Sequence, residues 1–167
     1  RTEPIIIDGI HTKKLVIEPT EAAFVRKMYE MYIDPQVSLH DITRQLTEQG
    51  MRTYFGKPFS RATISIMLRN PIYTMADLDI YEFFKSQGTN IYNDAADFVG
   101  TNGCYYYRSK DSTENKHTHL EGQTLVLAPS EGFIPSELWL QVRKKIIANQ
   151  NYQPARKARH SWMAGKI

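Results

Sequence analysis

The chain has 167 residues, of which 41% are hydrophobic and 23% are charged. This is an ordinary globular composition, and the length allows one domain with a real core, or two small lobes, but not two large domains. No run approaches the roughly 20 apolar residues of a membrane span, and no charged-then-apolar leader precedes residue 20. The single cysteine, Cys104, excludes an internal disulfide and a multi-cysteine zinc site, so we expect a buried or half-buried free thiol.

Basic residues are concentrated near the C-terminus. The segment Leu138–Ile167 has no acidic residue and holds seven basic ones: Arg143, Lys144, Lys145, Arg156, Lys157, Arg159 and Lys166. The whole chain carries a net charge of +3, whereas the first 137 residues hold 14 basic against 18 acidic residues, a net of −4. An acidic body with a basic end suggests contact with a polyanion, and the alternative is a solvated helix face followed by a frayed tail. The charge distribution alone does not decide between these two interpretations.

The N-terminal segment has the pattern of two short strands followed by a helix. Apolar runs at 5–7 and 15–17 predict the strands, and Asp8-Gly9 is typical of the turn between them. We expect Thr20 to cap the first helix and Pro35 to end it. The apolar side chains at helical spacing are Val25, Met28, Tyr29 and Tyr32.

Two further helices are predicted by their capping residues. Ser38 and Asp41 resemble a capping box at the start of the second helix, whose inward side chains are Leu39, Ile42 and Leu46. A connector follows at residues 51–59. Ser60 then caps the third helix, and Asn70-Pro71 ends it.

The rest of the chain has a mixed pattern. In chain order we predict a helix at 76–87, a strand at 104–107, a polar loop at 109–122, a strand at 124–127, a helix from Pro135 to about Ala148, and a polar, basic linker at 149–161. The aromatic stretch 77–111 has no explanation from the pattern. Together the elements indicate an α+β fold that is mostly helical, with short β-hairpins and a C-terminal helix.

The third helix divides into an inner and an outer face at about 100° per residue. Ile64, Met67 and Leu68 cluster on the side that we expect to pack on the second helix. The outer face is predicted to carry Ala62, Ser65, Ile66 and Arg69.

That outer face is suited to the major groove of DNA. Small residues allow close approach, Ser65 can bond a base edge, and Arg69 can fork onto guanine. Ala62 or Ile66 can touch a thymine methyl group. Arg61 and Thr63 are placed for phosphate contacts, as is the exposed backbone at the helix start. Arg52 and Lys57 of the connector add positive charge beside it, and Thr53 and Ser60 are further candidates for contact with DNA. The alternative is a short helix of a small domain with solvated basic residues, in which Ile66 packs on another part of the protein.

The basic tail is a second candidate for DNA contact. Its residues Arg156, Lys157, Arg159 and His160 can follow the duplex and place arginines in the minor groove, where negative potential is concentrated. Many linkers are basic, so this signal is weak by itself.

Two other groups suggest enzymatic chemistry only faintly. His117 and His119 with Glu114 and Glu121 have metal-ligating side chains, but they lie in a polar loop with no rigid element to hold them. Asp94 and Asp97 suit turn and cap positions better than a catalytic pair. We therefore expect neither a metal nor another cofactor.

Several motifs resemble the recombinase domain of large serine site-specific recombinases. The central ones are Leu46-x-x-x-Gly50-x-Arg-Thr53-x-x-Gly56-Lys-x-Phe59-Ser60 and Ile64-x-x-x-Leu68-Arg-Asn70-Pro71-x-Tyr73. The segments at 17–29 and 135–139 resemble the first and last helices of that domain, and 160–165 looks like the lead-in to a zinc ribbon. The long aromatic stretch is similar to recombinases of conjugative and mobilisable elements.

The resemblance implies a helix-turn-helix-like core at about 38–70 within a DNA-binding domain at 1–149, followed at 150–167 by a basic linker to a zinc ribbon. Such a domain binds double-stranded attachment-site DNA for integration or excision, within a parent protein that acts as a dimer and tetramer in the bacterial cytoplasm, at the nucleoid. No serine of this chain stands in the family's nucleophile motif, so we expect a non-catalytic piece of a longer enzyme. The remaining alternative is a helix-turn-helix transcription regulator.

Overall fold

The computed structural model describes residues 2–7, 9–109 and 118–151. The elements in chain order are β1 (Thr2–Ile7), β2 (Ile10–Leu15), α1 (Pro19–Tyr32), α2 (Leu39–Glu48), α3 (Arg61–Arg69), α4 (Leu78–Ser86), β3 (Asn90–Ile91), β4 (Asn102–Tyr107), β5 (Thr124–Glu131) and α5 (Ser136–Asn151). Two 3₁₀ turns, Pro71–Tyr73 and Ala95–Asp97, join them. The fold is α+β, and its helices hold more of the described residues than its strands, as predicted.

The N-terminal strands form a tight antiparallel hairpin. Ile7 pairs with Ile10, so a two-residue turn joins β1 to β2, and Gly9 takes the positive φ of 77° that such a turn requires. The prediction of the second strand at 15–17 was wrong, because so tight a turn starts the pairing at Ile10 and the register ends it at Leu15. The backbone N–H of Leu15 donates to Ser130 Oγ at 3.0 Å and ties the hairpin to β5.

Capping residues set the helix starts. The predicted cap of α1, Thr20, is wrong: Glu18 is the cap, and its carboxylate accepts from the N–H groups of Thr20 and Glu21 because Pro19 occupies the first helical position. The capping box of Ser38 and Asp41 is confirmed at α2. Ser60 caps α3 as predicted, and its Oγ accepts from the N–H of Thr63 at 3.1 Å.

The first three helices pack through the faces that the spacing predicts. The fully buried side chains of this part include Met28, Tyr29, Ile42, Ile64 and Leu68. They join one hydrophobic cluster that continues into α4, the sheet and α5. One continuous core, and not two lobes, therefore holds the described residues.

The aromatic stretch supplies the other half of this core. The ring centroids of Phe84 on α4 lie 5.7 Å from Trp139 on α5 and 5.5 Å from Tyr106 on β4. Tyr81 and Phe98 form a further edge-to-face pair at 5.2 Å. Packing therefore explains Tyr81, Phe84, Phe98 and Tyr106, whereas Tyr92 and Tyr107 of the same stretch are exposed.

The second sheet has the order β3-β5-β4, with β3 parallel and β4 antiparallel to β5. The prediction of short hairpins thus holds for β1 and β2 only, because residues 108–123 separate β4 from β5. α4 is shorter than predicted, and α5 runs to Asn151, beyond the expected end near Ala148. The predicted loop at 109–122 falls partly outside the described residues, but Leu120 within it is buried.

The segment after α3 locks the helices onto this sheet. The backbone N–H of Met75 donates to Ile134 O at 2.8 Å, and that of Ala76 donates to Asn102 O at 2.9 Å. Two glycines allow the close approach, since a Cβ at Gly103 would lie 2.1 Å from Ile72 O and one at Gly132 would lie 2.1 Å from Thr74 O. The position of α3 is thereby fixed relative to the rest of the molecule.

Candidate nucleic-acid interface

Helix α3 is held from two sides. The hydroxyl of Tyr29 on α1 lies 3.1 Å from the carbonyl oxygens of both Met67 and Leu68, which are among the last carbonyls of α3. Trp139 Nε1 on α5 donates to Asn70 O at 3.3 Å. The helix is therefore a rigid element on which an interface can be built.

The start of α3 is open and lacks acidic residues. Phe59, the residue before the cap, is buried and contacts Phe24 with the ring centroids 5.3 Å apart, which fixes the direction in which the chain enters the helix. Beyond the cap, Arg61 and Ala62 are exposed, and no acidic residue occupies the first turn. The N-terminal N–H groups and Arg61 thus present positive charge at one place.

A larger segment around this helix is free of acids. Residues 49–76, hereafter the acid-free segment, hold four basic residues and no acidic one: Arg52, Lys57, Arg61 and Arg69. By contrast, a groove of about 440 Å³ between α1 and α2 is lined by Glu30, Asp34, Asp41 and Glu48, with Arg44 the one basic residue among those lining it. A polyanion is therefore attracted to the α3 side and repelled from the α1–α2 groove.

Only part of the predicted outer face of α3 is exposed in the structure. Ile64 and Leu68 are fully buried and Met67 half-buried, as predicted, and Ala62 and Ile66 are exposed. The expected exposure of Ser65 is wrong, since its exposed fraction is 9%. Arg69 is only half-buried, and its guanidinium donates through Nη1 to Ser65 Oγ and so covers that hydroxyl.

Arg69 lies toward α5 instead of extending freely outward. Burial lowers its pKa, and its Nε is buried with no hydrogen-bond partner among the described residues. Burial, and next the positive charge of Arg69, lower the pKa of Arg143 on α5 to about 10. Both guanidiniums remain protonated at neutral pH. A contact between Arg69 and a base stays a prediction, and it requires the bond to Ser65 to open.

The connector between α2 and α3 contains a small turn. Thr53 N–H donates to Lys57 O at 2.8 Å, Gly56 N–H donates to Thr53 O at 2.8 Å, and Gly56 has a φ of 72°. Arg52 and Lys57, the predicted phosphate-binding residues of the connector, are exposed on either side of this turn. Thr53 is half-buried, and its Oγ1 accepts from Lys57 N–H at 3.2 Å.

Tyr54 and Phe55 stand at the tip of the same turn, with exposed fractions of 95% and 82%. Sequence reasoning missed them as candidates. The signal was present, because two adjacent aromatic residues between Thr53 and Gly56 occupy positions that a turn exposes.

The basic C-terminal end is less available than its charge suggests. Arg143 is buried, with an exposed fraction of 2%. Lys145 Nζ donates to the backbone carbonyls of Tyr32, Asp34 and Val37 at 2.6–2.8 Å and lies 4.3 Å from the centroid of the Tyr32 ring. Two of the seven basic residues thus serve the fold, which weakens the charge argument. The tail residues Arg156, Lys157, Arg159 and His160 lie outside the described residues.

The weaker candidates have structural roles or lie partly outside the described chain. Asp97 accepts from Asp94 N–H at 3.2 Å, so the predicted turn and cap role is confirmed. Glu114 and His117 fall outside the described residues, and within the described part no group of three or more metal-ligating side chains could hold an ion. Cys104 is the expected buried free thiol, and burial raises its pKa to about 12. No helix in the described part is long and apolar enough to cross a membrane.

The described chain is thus an α+β domain with an exposed helix start whose first turn carries no acidic residue. The family model described as Recombinase matches residues 19–149, and the chain therefore belongs to the Recombinase family. A role in DNA recombination follows from that membership. No curated protein and no solved structure matches the chain significantly.

Proposed function

We propose that this domain binds double-stranded DNA with sequence preference at recombination attachment sites, as part of a serine recombinase that integrates or excises a mobile element. The observation that carries the proposal is the exposed, acid-free start of α3 in a chain of the Recombinase family. In this proposal α2, the connector and α3 act as a helix-turn-helix-like unit, and α3 enters the major groove with its N-terminal half.

The proposed contacts with DNA are of two kinds, those with backbone phosphates and those with bases. Arg52, Lys57 and Arg61 are exposed cations, and we assign them to backbone phosphates together with Ser60, Thr53 and Thr63. Ala62 and Ile66 are the exposed apolar residues of α3, suited to the methyl group of thymine. Ser65 and Arg69 contribute base contacts only if their mutual hydrogen bond opens on binding.

The tail residues Arg156, Lys157, Arg159 and His160 are proposed to follow the DNA beyond the domain, as a linker that leads from the end of α5 toward a zinc ribbon. A catalytic serine domain elsewhere in the parent protein would cut the DNA, and the parent would act as a dimer and tetramer at the bacterial nucleoid. A transcription regulator with the same helical unit is the competing function, and membership of the Recombinase family favours the recombinase.

The experiment is a selection of duplexes from a random DNA library with the purified chain, followed by affinity measurements on the selected sequence and a scrambled copy over a salt series. The proposal expects the selected duplex to bind at least about ten-fold more tightly at every salt concentration, because base contacts add to the phosphate contacts common to both. Equal affinity for the two duplexes at all salt concentrations would rule out sequence-specific binding.

A further inference from the structure

The turn between α2 and α3 presents the two most exposed large apolar side chains of the described residues. Tyr54 is 95% exposed and Phe55 is 82% exposed, although each carries an aromatic ring that water solvates poorly. The rings contact each other edge to face, with centroids 5.3 Å apart. Scattered apolar side chains at a surface are ordinary, but an adjacent aromatic pair at a projecting tip marks an interaction surface.

Hydrogen bonds within the turn restrain the backbone that carries these two rings. The pair of backbone hydrogen bonds between Thr53, Gly56 and Lys57, with Gly56 at positive φ, is the three-residue hairpin turn in which a left-handed glycine closes the loop. The Thr53 Oγ1 bond to Lys57 N–H adds a third restraint. Since the backbone is fixed and an aromatic ring has few rotatable bonds, little conformational entropy is lost when the rings are buried by a partner.

The charges around the turn indicate the partner. Arg52 and Lys57 each stand two positions along the chain from the aromatic pair, and Arg61 follows in the first turn of α3. The acid-free segment offers no carboxylate to repel a polyanion. Aromatic rings between cations fit a surface that alternates phosphates with apolar sugar rings and thymine methyl groups, which is the surface of duplex DNA. A protein partner with an apolar pocket would bind the two rings equally well without the surrounding positive charges.

We infer that Tyr54 and Phe55 are DNA-contacting residues that pack on the sugar rings and base edges of the duplex, beside the backbone phosphates bound by Arg52 and Lys57. The inference rests on the proposed function and deepens it. It adds an apolar contact to an interface for which the sequence predicts only polar and charged contacts from the connector.

The test compares the double variant Tyr54→Ala, Phe55→Ala with the unaltered chain in binding to random-sequence duplex DNA over a salt series. We expect about ten-fold weaker binding at low salt, because burial of exposed aromatic rings against an apolar surface is worth about this much. The ratio of the two affinities should stay constant as salt rises, since no phosphate contact is lost. For Lys57→Ala the corresponding ratio should shrink with salt.

Three controls make the result specific. Tyr92→Ala removes a ring that is 81% exposed at another place and should leave affinity unchanged. The exchange Tyr54→Phe with Phe55→Tyr keeps both rings and should keep affinity. The thermal unfolding midpoint of the double alanine variant should match that of the unaltered chain, because neither ring is buried in the protein.

The outcomes separate the two proposals. If the unaltered chain binds duplex DNA and the double alanine variant binds equally well, the inference is overturned and the proposed function stands. If the unaltered chain binds no duplex at any salt concentration, the proposed function fails and the inference fails with it. If sedimentation shows that the unaltered chain self-associates and the double alanine variant does not, with equal DNA affinity, a second copy of the chain covers the rings and the inference is wrong.

Discussion

Gly132 allows the backbone after α3 to lie against the end of β5. A Cβ at this position would meet Thr74 O at 2.1 Å and Thr74 C at 2.4 Å, and a backbone group cannot move aside as a side chain can. We predict that Gly132→Ala lowers the free energy of unfolding by at least about 3 kcal/mol, at the upper end of the cost of overpacking. Chemical denaturation of the two proteins measures the difference.

Gly50→Ala is the matched control. Gly50 has a φ of 70° but no atom within 4 Å of its missing Cβ, so only backbone strain of about 1 kcal/mol is added there. Equal losses for the two substitutions would show that the contact between Gly132 and Thr74 is not as close as the structure has it.

At the scale of single residues, a hydrogen bond between sequence neighbours is easier to predict than a contact between distant segments. Ser38 and Ser60 are recognisable as caps because the residues they bond lie three positions along the chain. The burial of Ser65 could not be foreseen in this way, because it depends on how Arg69 folds back beside it. A helical wheel does not show which part of the folded protein covers each face of the helix.

At the scale of elements, Lys145 joins α5 to the end of α1. Helix α1 has no basic residue in its last turn, and Lys145 Nζ supplies a positive charge and three hydrogen bonds to carbonyls of Tyr32, Asp34 and Val37. We predict that Lys145→Met lowers the free energy of unfolding by about 2 kcal/mol, because charge-assisted hydrogen bonds are lost while the apolar stem is kept. Urea denaturation checks the value.

The neighbouring residue provides the comparison. Lys144 is exposed on the same helix, so Lys144→Met should change stability by less than about 0.5 kcal/mol. A similar loss in both variants would mean that the carbonyl contacts of Lys145 contribute nothing particular.

Most elements follow from the sequence, but their partners do not. The periodic apolar residues of α1 to α3 predict both the helices and their inner faces. The two-residue strand β3 is too short to leave a pattern, and its parallel pairing with β5 is a long-range contact. The resemblance to the recombinase domain was confirmed by the family match, whereas the functional assignment of individual residues of α3 stays a prediction.

Across the whole molecule, buried hydroxyl and thiol groups make stability sensitive to alkaline pH. Burial raises the pKa of Tyr29, Tyr73, Tyr106 and Cys104, in the last two cases to about 12. The folded protein therefore holds these protons more tightly than the unfolded chain, in which they ionise near pH 9 to 10. Their contribution to stability is fully present below about pH 9 and is lost as pH rises toward 12.

We therefore predict that the free energy of unfolding falls steadily between about pH 9 and 12. The lowered pKa values of Arg143, about 10, and of Arg69 and Lys145 act in the opposite direction at high pH, but these are three groups against four. Urea denaturation at pH 7, 9, 10 and 11, with tyrosinate absorbance followed in parallel, measures the trend. Constant stability across this range would contradict the burial of these groups.

The charge distribution of the whole molecule leads to the central claim, that the acid-free segment and the start of α3 bind duplex DNA. The most direct measurement is the affinity of the variant Lys57→Glu, Arg61→Glu for duplex DNA over a salt series, with Lys27→Glu on α1 as the control of matched chemistry. We predict that the double variant binds far more weakly than the unaltered chain, with the slope of log affinity against log salt reduced by about 1.8, or about 0.9 for each lost phosphate contact. Lys27→Glu should keep nearly the original slope. If the double variant binds with the affinity and slope of the Lys27 variant, the DNA does not lie on this face.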